Sequence, residues 1–154
     1  MFKSSTGLDF TIVPYKTSPD VVAALRAKDV QLAFEILSPL LPHIKAGWMK
    51  PLAVTSDRRF SGLPNVPTVM ESGVQGYNVS SWNGIAAPAA TPRPIIERLN
   101  QEINAVVAMP DVKQKLIDLG VEAQAGSPEA LKQLLVSEID KWKKVVERAK
   151  IEKQ

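Results

Sequence analysis

PLAVTSDRRFSGLPNVPTVMESGVQGY, residues 51–77, decides how this chain is read. Its first run, Leu52-Ala53-Val54-Thr55, is apolar and β-branched and predicts a short buried strand. A long loop with few core-like residues follows, the kind of connection that carries function or crosses between domains. Val66 and Pro67 then lead into Thr68 and Glu71, the T-x-x-E spacing of a capping box. There the threonine oxygen takes one orphan amide and the glutamate reaches back to another. Gly73 stands where a left-handed residue closes a helical end. The spacing therefore predicts a one-turn helix with its own start and stop.

Working outward, the segments before this stretch alternate in type. Phe10-Thr11-Ile12-Val13 predicts a strand ending at Pro14-Tyr15. Ser18-Pro19 opens a helix through Lys28, with Val21, Val22 and Leu25 facing inward. Val30 to Leu37 (VQLAFEIL) predicts a second strand, and Ser38-Pro39 starts a helix that Gly47 ends. Strand, helix, strand, helix, strand is the order of an α/β fold, a parallel-rich sheet with flanking helices and right-handed crossovers. Four helix starts share one signature: Ser18-Pro19, Ser38-Pro39, Thr91-Pro92 and Ser127-Pro128 each place a hydroxyl before a proline at the first helical position.

Beyond residue 81 the character changes. Trp82 to Pro88 predicts one crossing strand, and the rest is mostly helical. Ile95, Ile96, Leu99, Ile103, Val106 and Val107 form one stripe at helical spacing. A shorter helix is expected from Pro110 to Leu119, ended by Gly120, and a brief strand over Val121–Ala125. A last helix from Ser127 to Ala149 carries Leu131, Leu135, Ile139 and Trp142 on one face. The domain reading is an α/β module over 1–80 and a crossing strand with a helix-rich C-terminal tail over 81–154.

Composition bounds the function. The chain has 154 residues, a 45% hydrophobic share and a formal net charge of +3, the profile of an ordinary globular protein. Lys141, Lys143, Lys144, Arg148, Lys150 and Lys153 cluster late, but Glu138, Asp140, Glu147 and Glu152 are interleaved with them. That pattern reads as a solvated helix face, and no nucleic-acid partner is expected. Cysteine is absent, which excludes disulfides, thiolate metal sites and cysteine nucleophiles. No apolar run approaches the ~20 residues of a membrane span, and Met1-Phe2-Lys3-Ser4 does not read as a secretion signal.

Chemistry is expected at the carboxyl ends of the strands, where helix N-termini present unpaired amides. Tyr15, Lys16, Thr17 and Ser18 follow the first strand; Glu35, Leu37 and Ser38 close the second. Each junction offers a hydroxyl, free amides and about half a unit of positive dipole, which suits a carboxylate. The serines are read either as caps alone or as caps that also face a ligand. Glu35 either accepts a bond from a ligand or ordered water, or points to solvent. His43, the single histidine, has no second histidine and no carboxylate at helical spacing, so it is read as packed or at the surface rather than as a metal ligand. No phosphate loop, metalloprotease motif or nucleophile elbow occurs. Neither catalysis nor a cofactor is expected.

The blocks VPYK, QLAFEILSPLLPHIKAG, LAVTSDRR, LPNVPTVMESGVQGY, WNGIAAPAATP and the closing LG…SPE segment, in this order, resemble the C-terminal half of the tripartite tricarboxylate transporter receptors. These TctC-like, or Bug-type, proteins are extracytoplasmic solute-binding proteins. The resemblance implies a type II periplasmic-binding-protein-like lobe, with the first lobe and its ligand clamp missing. It implies capture of a small organic carboxylate for delivery to a membrane permease, in the periplasm, without catalysis. Carried over by position, Tyr15, Lys16, Thr17 and Ser18 match one cleft-facing loop, and Glu35, Leu37 and Ser38 the next. Thr17 stands where the family commonly has glycine, Glu35 where it has aspartate, and Ala90 where it has glycine in a turn. Half a clamp is expected to bind its carboxylate weakly or not at all. The bare stripe of residues 92–108 leads to the expectation of a homo-oligomer, possible as a domain-swapped dimer. The rival reading is a non-transport homo-oligomeric interaction domain, cytoplasmic if expressed as it stands.

Overall fold

The computed structural model describes residues 1–149; Lys150, Glu152 and Lys153, part of the late charge cluster, lie outside the described residues. Among the described residues there are six helices: α1 (Phe2–Thr6), α2 (Ser18–Ala27), α3 (Leu37–Lys45), α4 (Arg93–Ala108), α5 (Pro110–Asp118) and α6 (Pro128–Ala149). The chain divides into two units. One holds Phe2–Ser81 with Gln114–Glu122; the other holds Met1, Trp82–Lys113 and the chain from Ala123 onward.

The helix ends follow from local chemistry. At α2, Lys28 adopts the left-handed conformation (φ 66°); its amide bonds Leu25 O and the Asp29 amide bonds Ala24 O, the paired closure of a Schellman motif. Gly47 (φ 75°) and Gly120 (φ 77°) do the same for α3 and α5. At α6, the Ser127 hydroxyl accepts from the Ala130 amide at 3.1 Å, the cap its sequence predicts. At α4 the prediction fails. Pro92 itself is the N-cap and no side chain caps the helix; the Thr91 amide bonds back to Pro88 O in a preceding turn.

The capping box at 68–71 forms as its spacing predicts. The Thr68 hydroxyl accepts from the Glu71 amide at 3.0 Å, and Glu71 Oε2 accepts from the Thr68 amide at 2.7 Å. Gly73 (φ 105°) closes the turn, with the Gly73 amide on Met70 O and the Val74 amide on Val69 O. Arg59 Nε clamps both Glu71 oxygens, at 3.1 and 2.9 Å. This single turn anchors the first unit's core, which comprises Val22, Ala24, Leu41, Phe60, Val66, Val69 and Tyr77, with buried Thr68 among them.

The expected strands are the main departure. Among the described residues one isolated parallel bridge is present, Val54↔Thr68. It is made by the Val54 amide on Pro67 O and the Val69 amide on Val54 O, both 2.9 Å. The runs at 10–13, 30–37, 82–88 and 121–125 form no ladder. Parallel ladders are stable where both faces are covered. Ile12 (69% exposed), Leu32 (48%) and Leu52 (59%) show that this cover is missing.

In the second unit, α4 and the start of α6 are tied by amide chemistry that the sequence does not advertise. Asn104 Nδ2 donates to Gly126 O at 3.1 Å while the Gly126 amide donates to Asn104 Oδ1 at 3.2 Å. Asn100 Nδ2 donates to the same carbonyl at 2.8 Å, and Arg93 pairs with Glu129 at 2.8 Å. None of α4, α5 or α6 contains a buried residue.

Candidate functional site

The residues singled out by sequence lie at the N-termini of α2 and α3. At the α2 tip the cap is Thr17, not Ser18. Thr17 is extended (φ −137°, ψ 151°), and its hydroxyl accepts from the Asp20 amide at 3.4 Å and donates to Asp20 Oδ2 at 2.7 Å. Ser18 is thereby the first helical residue and half-buried. Tyr15 and Lys16 are exposed on the approach, and Lys16 makes no ion pair among the described residues.

The α3 tip is also shifted. Its N-cap is Ile36, which has no side-chain cap, and the helix begins at Leu37, so Ser38 is its second residue rather than a cap. Glu35 has one oxygen engaged locally. Its Oε1 accepts from the Ile36 amide at 2.8 Å, folding the carboxylate onto the backbone just before the helix.

Of the seven residues singled out by sequence, only Ser18 lines the groove between α2 and α3. α2 and α3 are in contact, and Ser18 and Pro19 of one tip share a groove of about 340 Å³ with Pro39 of the other. Val22 and Ala23 form its apolar wall and Arg26 and His43 close its far end. His43 is packed against Trp48, ring centroids 5.8 Å apart and 24° between planes, and Arg26 lies 4.3 Å over the same indole.

A residue that sequence reading did not connect to this site is Gly120. A Cβ there would stand 3.0 Å from Ser38 Cα, 3.1 Å from Ser38 N and 3.3 Å from Ser38 Oγ. The turn that ends α5 thus abuts the α3 tip, and a side chain would fill that contact. The positive φ was legible as a helix stop; its contact with Ser38, far away in sequence, was not.

Chemically the tips can receive an oxyanion, with an internal competitor at each. Asp20 sits in the first turn of α2 and Glu35 lies against the entry to α3. Negative side chains at helix N-termini satisfy part of the amide dipole themselves. An incoming carboxylate meets like charge at both tips, and Lys16 and Arg26 are the nearby cations.

The family model described as the tripartite tricarboxylate transporter family receptor matches residues 1–151, and the chain belongs to that family. A protein from the tcbD-tcbE intergenic region of Pseudomonas sp. (strain P51) is 40% identical over 135 residues, covering 87% of this chain and 40% of that protein. An R. palustris protein solved with adipate superposes with a TM-score of 0.80 at 36% identity, covering 95% of this chain and 49% of that one. The periplasmic binding protein BugD gives 0.72 at 29%, covering 99% and 52%. MatC from Rhodopseudomonas palustris, solved with malate, gives 0.69 at 31%, covering 94% and 50%. The fold is therefore a type II lobe with a helix-rich tail. The chain spans between 40% and 52% of the length of these four proteins.

Proposed function

We infer that this chain supplies one face of a receptor for small organic carboxylates, with Tyr15 to Ser18 and Glu35, Leu37 and Ser38 presenting the amide-bearing rim. The observation that supports this reading is the packing of α2 on α3, with Ser18 at the head of the groove between them. The adipate and malate in the related structures support the ligand class. The role is capture without catalysis, for delivery to a membrane permease from the periplasm. By itself the rim binds weakly, on the order of millimolar, because the ligand stays solvated and Asp20 and Glu35 oppose it.

Amide chemical-shift titration with adipate tests this. The expected result is saturable shifts confined to residues 16–18 and 37–38, with affinity rising severalfold in Glu35→Gln, which keeps the bond to Ile36 and removes the charge. Absence of shifts at those amides would sink the reading, as would an unchanged affinity in Glu35→Gln.

A second reading, a homo-oligomeric interaction domain with no transport role, is favoured by one observation. The apolar stripes of α4 and α6 have no buried residue, and Leu99, Leu135 and Ile139 are 47%, 46% and 57% exposed. Burial of these stripes in a partner copy, by domain swap or simple docking, predicts loss of self-association in Leu99→Lys/Ile139→Lys by sedimentation.

A further inference from the structure

We propose that Glu122 is a positioning residue for the α3 half of the rim: its carboxylate fastens the turn after α5 to the 58–62 loop, and that turn sets where Ser38 stands. The consequence for binding rests on the receptor reading above; the positioning itself is tested first without a ligand.

The α3 tip depends on external support. Its N-cap, Ile36, makes no side-chain bond, and the run before it forms no ladder. A first turn without a cap leaves its place to tertiary contacts. Leu41, 2% exposed, anchors the middle of the helix. At its start the close neighbour is Gly120, where a Cβ would stand 3.0 Å from Ser38 Cα and 3.1 Å from Ser38 N.

The turn that carries Gly120 is rigid in itself. The Gly120 amide bonds Ile117 O and the Val121 amide bonds Leu116 O, both at 2.9 Å, so the end of α5 and its stop form one piece. Gln114–Glu122 belongs to the same unit as Phe2–Ser81, and Glu122 is its main polar fastening there. Glu122 Oε1 accepts from the Ser61 amide at 2.9 Å, and Oε2 faces Arg58 Nε at 3.6 Å. Beside them Ile117 packs closely: a Cβ on Gly62 would stand 3.1 Å from Ile117 Cγ2. The Lys45–Asp118 pair, 3.8 Å apart with both side chains more than half exposed, adds little. A charge-assisted bond from a backbone amide to a carboxylate only 30% exposed outweighs it.

The loop that receives Glu122 is itself tied to the core. Phe60 is 7% exposed, and the Ser56 hydroxyl donates to Arg58 O at 2.7 Å. Arg59 joins Glu71 of the capping box to Pro64 O, the latter through Nη1 at 3.0 Å. Short contacts therefore run from the capping box through Arg59, Ser61, Glu122 and Gly120 to Ser38. Glu122 pairs with Ser61 and Arg58, not with the rim, so it acts on Ser38 only through Gly120.

Solution NMR of the whole chain tests this, since a series of contacts shows coupling only when one end is perturbed and the other read. In the unmodified chain an Overhauser contact between the Gly120 Hα protons and the Ser38 amide is expected. Glu122→Ala should speed exchange of the Ser61 amide at least about tenfold. It should also move the Ser38 amide resonance and leave Ser18, at the other tip, in place. Glu122→Gln, which keeps an acceptor for Ser61, should return Ser38 towards its parent position. With adipate, the shifts at 37–38 should shrink in Glu122→Ala relative to those at 16–18. If the parent shows no adipate shifts, the receptor reading fails, and the ligand-free comparison still decides the role of Glu122. Absence of the Gly120–Ser38 contact in the unmodified chain would overturn the proposal, even if the alanine variant failed to fold. So would a Ser38 resonance that stays put while Ser61 exchanges faster, or equal movement of Ser18 and Ser38, the mark of general loosening.

Discussion

Replacing Thr68 by valine keeps the branched shape of a residue that is 2% exposed and deletes only the hydroxyl. That hydroxyl is the acceptor for the Glu71 amide at 3.0 Å, so the substitution removes a side-chain cap and leaves a part-buried N–H without its partner. Loss of an N-cap costs about 1 kcal/mol, and an unsatisfied buried donor costs about 1–3 kcal/mol. The two figures describe the same bond and are not summed. About 1.5 kcal/mol is the expected loss, which for a chain of this size lowers Tm by roughly 3–6 °C. Thr68→Ser is the informative companion, because it keeps the acceptor and loses about one buried methyl, near 0.8 kcal/mol. Thermal unfolding at one fixed protein concentration measures both. Amide exchange separates them: the Glu71 amide should lose about tenfold protection in the valine variant and keep it in the serine variant. The box is also reciprocal, so Thr68→Val and Glu71→Ala, which removes the acceptor, should be non-additive in a double-mutant cycle. If the valine variant melts with the parent and its Glu71 amide stays protected, the turn is held by burial alone and the capping argument is wrong.

Three further outcomes follow from single residues. The Arg59 hydrogen bond, reinforced by the Thr68 amide, holds the Glu71 carboxyl below its ordinary value of 4.5. A depressed carboxyl stabilises the fold above its unfolded-state pKa, and that contribution is lost as pH falls below 4.5 through the folded value; urea midpoints of Glu71→Gln should lack this acid limb. Lys28, exposed and left-handed at φ 66°, should tolerate glycine with a gain of about 0.5–1 kcal/mol, read as a Tm rise of roughly 2–3 °C. Gly120→Ala should cost about 2–3 kcal/mol, since it adds left-handed strain to a Cβ contact with backbone that cannot yield. Its Ser38 amide resonance should move as well, and an unperturbed Ser38 would show that the turn does not support the α3 tip.

What was legible in the sequence was local. Thr68, Glu71 and Gly73 form their motif within six residues, and nothing distant is needed to complete it. Gly47 and Gly120 end their helices for the same reason. The caps at α2 and α3 were misplaced because proline is compatible with more than one position of the first turn. In α2 the pair Thr17 and Asp20 outcompetes Ser18 for the cap, and in α3 the helix starts at Leu37 with no hydroxyl cap at all. The strands at 10–13 and 30–37 carry the right period, but a ladder also needs a partner and cover on both faces. Periodicity specifies neither. The candidate site residues are two short runs that sequence could name, whereas the contact of Gly120 with Ser38 depends on how α5 returns to α3 and leaves no trace in spacing.

The same distinction underlies the expectation that the proposed receptor rim is a weak one. Helix tips are generic anion acceptors: any helix offers them, and sequence reveals them through caps and prolines. Their strength is set by what else occupies the field. Here Asp20 bonds the Thr17 hydroxyl at 2.7 Å and Glu35 bonds the Ile36 amide at 2.8 Å, so each tip enters the contest for a ligand with its dipole partly satisfied. At an exposed rim a competing charge and a water molecule are both cheap to exchange, and selectivity between carboxylates is small. A second surface that excludes water would raise the effective strength of the same amides and make the charge of Glu35 decisive. By that argument a rim variant such as Glu35→Gln should have its largest effect where a second surface closes over the rim and excludes water.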